Sequence, residues 1–193
     1  MLCGVVFSLA RPSAVELRCW LAALESLPAP GPPEPGGVVD RNRIVLGRGA
    51  EAFRRAREAL GGWEMFRLGW AEVHPPGAPI LVGTTVVVLA HAFALWSANP
   101  CRIVALVEEG GPIERAGFVY RTLPGHAVQG EERFAVAWDH GDDAVAYEVV
   151  AQSRPAHPLV RAALPLARLV QRRFARDSQR AMARAVLEPA AAP

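Results

Sequence analysis

After a series of short apolar runs, the final stretch of this chain, residues 155–188 (PAHPLVRAALPLARLVQRRFARDSQRAMARAVLE), changes to helical spacing. Short strands followed by one long amphipathic helix predict a sheet closing around a terminal helix, an arrangement that leaves a cavity between the two. Proline in a helix interior removes a hydrogen bond, so Pro165 predicts a short turn over 158–164 and a main helix with Pro165 at its first position. About 22 residues at ~1.5 Å each give a helix of ~33 Å, enough to cross a sheet face. Its apolar stripe is Leu166, Leu169, Val170, Phe174, Ala181 and Ala185. Small residues are frequent in it, which leaves room beneath the helix.

Upstream, Val38–Gly47 reads as a strand and Gly49–Leu60 as a helix with Phe53, Ala56 and Leu60 on one face, stopped by Gly61-Gly62. Six strand-like segments follow: 65–74, 83–93, 101–108, 115–123, 131–139 and 144–153. The pieces between them (PPGAP, SANP, EEGGP, LPGHAVQG, HGDD) have hairpin length, so the strands form an antiparallel meander. Gly47-Arg-Gly49-Ala-Glu-Ala52 matches a dinucleotide fingerprint in letters, but no alternation of strand and helix follows it. It reads as a tight strand-to-helix turn.

The N-terminal MLCGVVFSLA is apolar, has no basic leader and breaks at Arg11-Pro12, which marks a strand rather than a signal peptide. Ser13-Ala-Val-Glu16 is a capping box opening a helix over roughly 13–27. The Pro/Gly-rich run 28–37 (PAPGPPEPGG) can hold neither helix nor central strand. The chain therefore divides into an N-terminal strand–helix appendage and linker over 1–37, a main domain over 38–188, and a disordered tail over 189–193.

All 21 basic residues are Arg. The absence of Lys excludes Schiff-base and lysine-base chemistry and a Walker A loop. Cys3, Cys19 and Cys101 are odd in number and form no CxxC pair, which argues against a disulfide framework and fits a reducing cytoplasm. The five histidines contain no HxH or HExxH, so neither a metal nor a cofactor is expected. No run reaches the ~18–20 apolar residues of a membrane span. The net charge of +2 does not fit a nucleic-acid binder. Charge is nonetheless uneven: residues 158–188 carry seven Arg against Asp177 and Glu188. Arg168, Arg172, Arg176, Arg180 and Arg184 make a ridge that either meets an anionic surface or is a solvated outer face.

The densest cluster of reactive residues runs from Tyr120 through His126 to Phe134. Period-two spacing puts Glu132, Phe134, Val136 and Trp138 on one strand face, the bulky and hence inward one. Glu132 and His126 are thus candidates for an acid–base pair or for polar anchors of a ligand. The structural alternative pairs Glu132 with an Arg and leaves His126 capping a loop. Arg154 either clamps an anionic group at the cavity mouth or ties the strand–helix junction together. Trp96, Asn99, Pro100, Cys101 and Arg102 either line a pocket or pack as a core loop. Tyr147 shares a face with Val145, Val149 and Ala151, which places it inward. The candidate ligand-binding set is Tyr120, His126, Glu132, Trp138, Tyr147 and Arg154.

The segments Leu46-Gly-Arg-Gly49, Trp63-Glu-Met-Phe66-Arg-Leu-Gly-Trp70, Asn99-Pro-Cys-Arg102, Gly117-Phe-Val-Tyr120-Arg-Thr-Leu-Pro-Gly-His126, Gly130-Glu-Glu-Arg-Phe134, Ser153-Arg-Pro155 and Gln171-Arg-Arg-Phe174-Ala-Arg-Asp-Ser178 resemble an uncharacterised family found in bacteria and plants. It is catalogued as domain of unknown function nineteen-ninety and is related to the START and Bet v 1-like superfamily. The resemblance covers nearly the whole chain. It implies an α+β helix-grip fold, in which a curved antiparallel sheet of about six or seven strands wraps around a long C-terminal helix. It also implies a partner that is an apolar or amphipathic small molecule, lipid- or polyketide-like. The alternative it allows is a cavity enzyme of cyclase or hydrolase type. The chain departs from the family pattern at 28–37, where a longer segment with an aromatic residue and a Gly-Thr pair is usual; if that segment closes the mouth, ligand access differs here.

Overall fold

The computed structural model describes residues 7–33 and 36–187. Cys3, most of the expected N-terminal strand, Glu188 and the tail 189–193 lie outside them. In chain order the elements are β1 (Phe7–Ser8), α1 (Ala14–Glu25), β2 (Val38–Arg48), α2 (Gly49–Gly61), β3 (Ala71–His74), β4 (Thr85–Ala92), β5 (Leu95–Glu109), β6 (Ile113–Thr122), β7 (Val128–Asp139), β8 (Ala144–Pro155), α3 (Pro158–Ala162) and α4 (Leu164–Leu187). Seven strands form one antiparallel sheet in the order β2-β8-β7-β6-β5-β4-β3, and the short β1 pairs with β5. From β3 to β8 every strand pairs with its sequence neighbour, and β2 returns to the far edge beside β8. The sheet curls around the terminal helix, which is the helix-grip arrangement.

The concave face is filled at one end only. There α2 and the C-terminal half of α4 cover Leu46, Phe118, Phe134, Val145 and Tyr147 with Phe53, Leu60, Met182 and Val186. Phe118, Phe134 and Tyr147 are fully buried, and burial of each such side chain contributes roughly 1.5–3 kcal/mol. Gly49 opens α2 at φ +81, a backbone that a side chain would strain, and its N–H donates to the Asp143 carbonyl at 3.0 Å. At the other end α4 spans the sheet without filling the space beneath it.

On the convex face α1 packs over β4 and the start of β5. Leu17, Leu21 and Leu24 pack on Val87, Leu89, Ala98 and Leu123. The helix starts at the expected capping box: Ser13 Oγ accepts the Glu16 N–H at 3.2 Å, and Glu16 Oε2 accepts the Ser13 N–H at 2.7 Å. Its C-terminal end rests on Arg102, a buried guanidinium that donates to the carbonyls of Leu24 (2.5 Å) and Leu27 (2.7 Å) and to Thr85 Oγ1 (2.9 Å). A cation at a helix C-terminus also complements the helix dipole.

Three expectations are corrected. The strand expected over 65–74 begins as a helical turn, Glu64–Phe66, and only 71–74 is extended. Met65 and Phe66 both enter the same core cluster, whereas successive residues of a strand point to opposite faces. The SANP segment is not a turn. The hairpin turns at Phe93-Ala94 instead, and β5 runs through Pro100. Pro100 is tolerated because its carbonyl, and so its nitrogen, faces β6 at that strand's very end, where the carbonyl accepts the Leu123 N–H at 2.9 Å. The apolar stripe of α4 divides: Leu166 and Leu169 are exposed, whereas Ser178, Ala181, Met182 and Val186 are buried.

Candidate functional site

The unfilled end of the grip is a cavity of about 730 Å³. Its floor is the inward row of side chains continuing from the packed core. Inward positions are Phe134, Glu132, Gly130 and Val128 on β7 and Tyr147, Val149, Ala151 and Ser153 on β8; Phe134 and Tyr147 end the packed core, and the others line the hollow. Side chains shrink from Phe134 to Gly130 and from Tyr147 to Ala151, and the hollow opens where they do. The roof is α3 and the N-terminal half of α4, with Val160, Ala163, Leu166, Ala167, Val170 and Phe174. Gly130 is required by a close approach: a Cβ there would sit 1.9 Å from the Gln152 carbonyl oxygen of β8.

The polar groups on this apolar wall are few. Tyr120 and Glu132 are cross-strand partners on β6 and β7, and the Tyr120 hydroxyl donates to Glu132 Oε2 at 2.7 Å. They sit where packed core gives way to hollow. Glu132 is half-buried, and what surface it keeps faces the cavity. Burial raises its pKa from the ordinary 4.5 to about 7, while the Tyr120 hydrogen bond opposes the shift and the charge of Asp40 adds to it. The Tyr120 hydroxyl is pushed well above its usual range, chiefly by burial and then by the Glu132 charge. Among the described residues no Arg lies within 4.0 Å of Glu132. The Arg partner goes instead to Glu131, on the opposite face, whose carboxylate accepts from Arg121 at 2.9 Å.

His126 lines the same cavity from the β6–β7 turn. Its Nδ1 accepts the Val128 N–H at 3.0 Å, and burial lowers its pKa to about 4, so the ring is neutral at ordinary pH. Val128 and Glu132 are four residues apart on an extended strand, or ~13 Å. His126 and Glu132 therefore share a wall without touching.

The other candidates lie elsewhere. Tyr147 is fully buried below the floor, with its hydroxyl 2.9 Å from Ser178 Oγ of α4. Trp138 packs on Phe53 at the filled end and donates to Asp143 at 2.8 Å. Arg154 donates to Gln129 Oε1 at 2.8 Å, outside the main cavity. Asn99 lines the cavity and donates to the Val88 carbonyl at 3.2 Å, while Trp96 stacks on His91 at 4.7 Å. Three arginines of the ridge, Arg168, Arg176 and Arg180, are engaged with acids, as is the neighbouring Arg173. Arg168 binds Asp40 at 2.7 Å, and Arg173, Arg176 and Arg180 surround Asp177. Arg173 also covers the Trp70 ring at 4.3 Å. Among the described residues no cluster of three or more His, Cys, Asp or Glu side chains is arranged to hold a metal ion. No helix there is long and apolar enough to cross a membrane.

Among the polar lining residues that the sequence analysis did not single out are Asp40, Ser97, Thr122 and Gln171. Period two on β6 would have placed Thr122 with Tyr120. Ser97 needed β5 to start at Leu95 rather than Cys101. Nothing in the sequence pairs Asp40 with Arg168, since that contact spans two edges of the fold.

Residues 23–181 match the model of a family described as domain of unknown function (DUF1990). The chain is 36% identical over 157 residues to a UPF0548 protein of Dictyostelium discoideum, covering 77% of this chain and 72% of that one. It is 39% identical over 155 residues to a UPF0548 protein of Deinococcus radiodurans, covering 75% and 76%. Among solved structures it is similar to TTHA0849 of Thermus thermophilus, with TM-score 0.50 and 12% identity over 80% of this chain and 100% of that one. Human STARD10 is similar at TM-score 0.48 and 9% identity, over 93% and 82%.

Proposed function

Because the chain belongs to the DUF1990 family, whose members carry no assigned activity in their description, we propose its function from its own cavity: it binds an apolar or amphipathic small molecule between the sheet and the C-terminal helix. The observation that carries this reading is the hollow of about 730 Å³ at one end of an otherwise filled grip. That volume lies in the range of ligand pockets, and a mostly apolar wall with a few convergent polar groups is how such pockets combine affinity with orientation. Tyr120, Glu132 and His126 are the orienting groups, joined by Asn99. Tyr147 and Trp138 act on the site only through the packing behind it. A cytoplasmic location is part of this reading and is supported by Cys19 and Cys101, which are free thiols.

Native mass spectrometry of freshly purified protein, followed by extraction and identification of any bound molecule, tests the reading. An adduct that disappears on organic extraction supports it. Protein that is empty and fails to bind any apolar probe refutes it.

A second reading is favoured by one observation, the carboxyl of Glu132 with a pKa raised to about 7 facing the cavity. Such a group can accept and return a proton near neutral pH, as a cyclase or hydrolase would require. In this reading Glu132 acts with Tyr120, and His126, whose Nδ1 is taken by the Val128 N–H, contributes a fixed Nε2–H donor rather than the second half of an acid–base pair.

A further inference from the structure

Resting on the reading that the cavity is a ligand site, we propose that its occupant is an amphipathic amine, held with its protonated nitrogen against Glu132 and its apolar body beneath α3 and α4. The charged residues at the hollow are Asp40, Arg41, Glu132, Arg168 and Arg172, with Glu131 touching it from the strand whose other face carries its carboxylate. Asp40 and Arg168 neutralise each other at 2.7 Å, and Glu131 is matched by Arg121. Arg41 and Arg172 are exposed at the rim. Glu132 remains as a carboxylate facing the hollow with no cation beside it. Tyr120 satisfies Oε2, and among the described residues no donor reaches Oε1.

A carboxylate taken out of water without a counter-ion is costly, and the protein meets that cost by raising the affinity of Glu132 for a proton. A ligand ammonium would replace the proton with a cation and add a charge-assisted hydrogen bond. An alcohol could reach the same oxygen but brings no charge. A carboxylate head would meet Glu132 with no cation beside it and is disfavoured at the floor. The roof suits an aliphatic or aromatic body, since Val160, Leu166, Val170 and Phe174 face the floor across the gap. The other titratable and charged groups facing Glu132 are Cys101 on β5, Tyr120 on β6, Tyr147 on β8, and Asp40 with its partner Arg168. Burial pushes Cys101, Tyr120 and Tyr147 upward, away from neutrality, and His126 stays neutral down to about pH 4.

The test is isothermal titration calorimetry of the whole protein with dodecylamine, dodecanol and dodecanoic acid. Dodecylamine is expected to bind most tightly. Its affinity should rise about tenfold from one pH unit below the Glu132 pKa to one unit above, following the ionised fraction. Glu132→Gln should weaken dodecylamine by about tenfold or more, abolish that pH dependence and leave dodecanol within a few-fold. Tyr120→Phe, which keeps the carboxylate and removes the bond that lowers its pKa, should move the pH midpoint upward. Dodecanoic acid binding as tightly as dodecylamine, or dodecylamine indifferent to Glu132→Gln, or an unmoved midpoint in Tyr120→Phe, would overturn the amine assignment and leave small-molecule binding intact. If none of the three probes binds, the binding reading falls and the amine assignment falls with it.

Discussion

Glu132→Gln separates the cost of a lone carboxylate from the packing around it, because Gln keeps the shape and still accepts from the Tyr120 hydroxyl. The carboxyl titrates near 4.5 in the unfolded chain and near 7 in the folded one. The folded protein thus holds the proton more tightly, and stability falls as pH climbs from 4.5 through 7. At ~1.4 kcal/mol for each unit of pKa difference, the loss has a ceiling of ~3 kcal/mol above neutrality. Water that reaches the open edge of Glu132 screens it, which lowers the expected cost to ~1–2 kcal/mol. His126 works in the opposite direction, with a pKa lowered from 6.5 to about 4, so its contribution is present above 6.5 and is lost as pH falls toward 4. It is present in both proteins and cancels in their difference. Urea unfolding at about pH 5 and about pH 8 reads that difference. Glu132→Gln should be more stable than the parent by ~1–2 kcal/mol at the higher pH, and no more stable at the lower one. A difference of equal size and sign at both would refute the assignment of the raised pKa to Glu132.

Ala167→Phe should place a ring in the hollow and abolish binding of apolar probes while changing stability by no more than ~1 kcal/mol; a large destabilisation would mean the space is already filled. Arg102→Met should strip the C-terminal end of α1 of its donors and cost ~2–4 kcal/mol, with early loss of hydrogen-exchange protection in α1 as the readout. Gly130→Ala must push apart the β7 and β8 backbones where a Cβ would meet the Gln152 carbonyl oxygen at 1.9 Å, and a loss of ~2–4 kcal/mol in thermal or urea unfolding is expected. Tyr147→Phe should cost ~1 kcal/mol through the lost bond to Ser178, and should leave probe binding unchanged because the hydroxyl lies below the cavity floor.

The sequence carried the architecture because the two periodicities that specify it are local. Alternation along β7 and β8 assigns Glu132, Phe134, Tyr147 and Val149 to the concave face, and helical spacing identifies the terminal helix that this face must grip. Alternation does not carry depth. Tyr147 and Glu132 share the inward side of neighbouring strands, yet one is sealed in the core and the other borders the hollow. What separates them is how far α2 and the C-terminal half of α4 reach along the sheet, which depends on contacts between residues distant in the chain, such as Tyr147 with Ser178. The same limit hid Arg102, whose partners are carbonyls at the end of α1, and the Asp40–Arg168 pair, which joins β2 to the terminal helix. Polar contacts of this kind have no periodic trace. They are also what decides chemistry here: Asp40 uses up Arg168, Glu131 uses up Arg121, and the carboxylate left without a cation is defined by those subtractions rather than by any motif around it. Glu132 was legible as an inward carboxylate, but its isolation became legible only when Arg121 and Arg168 had been traced to other acids.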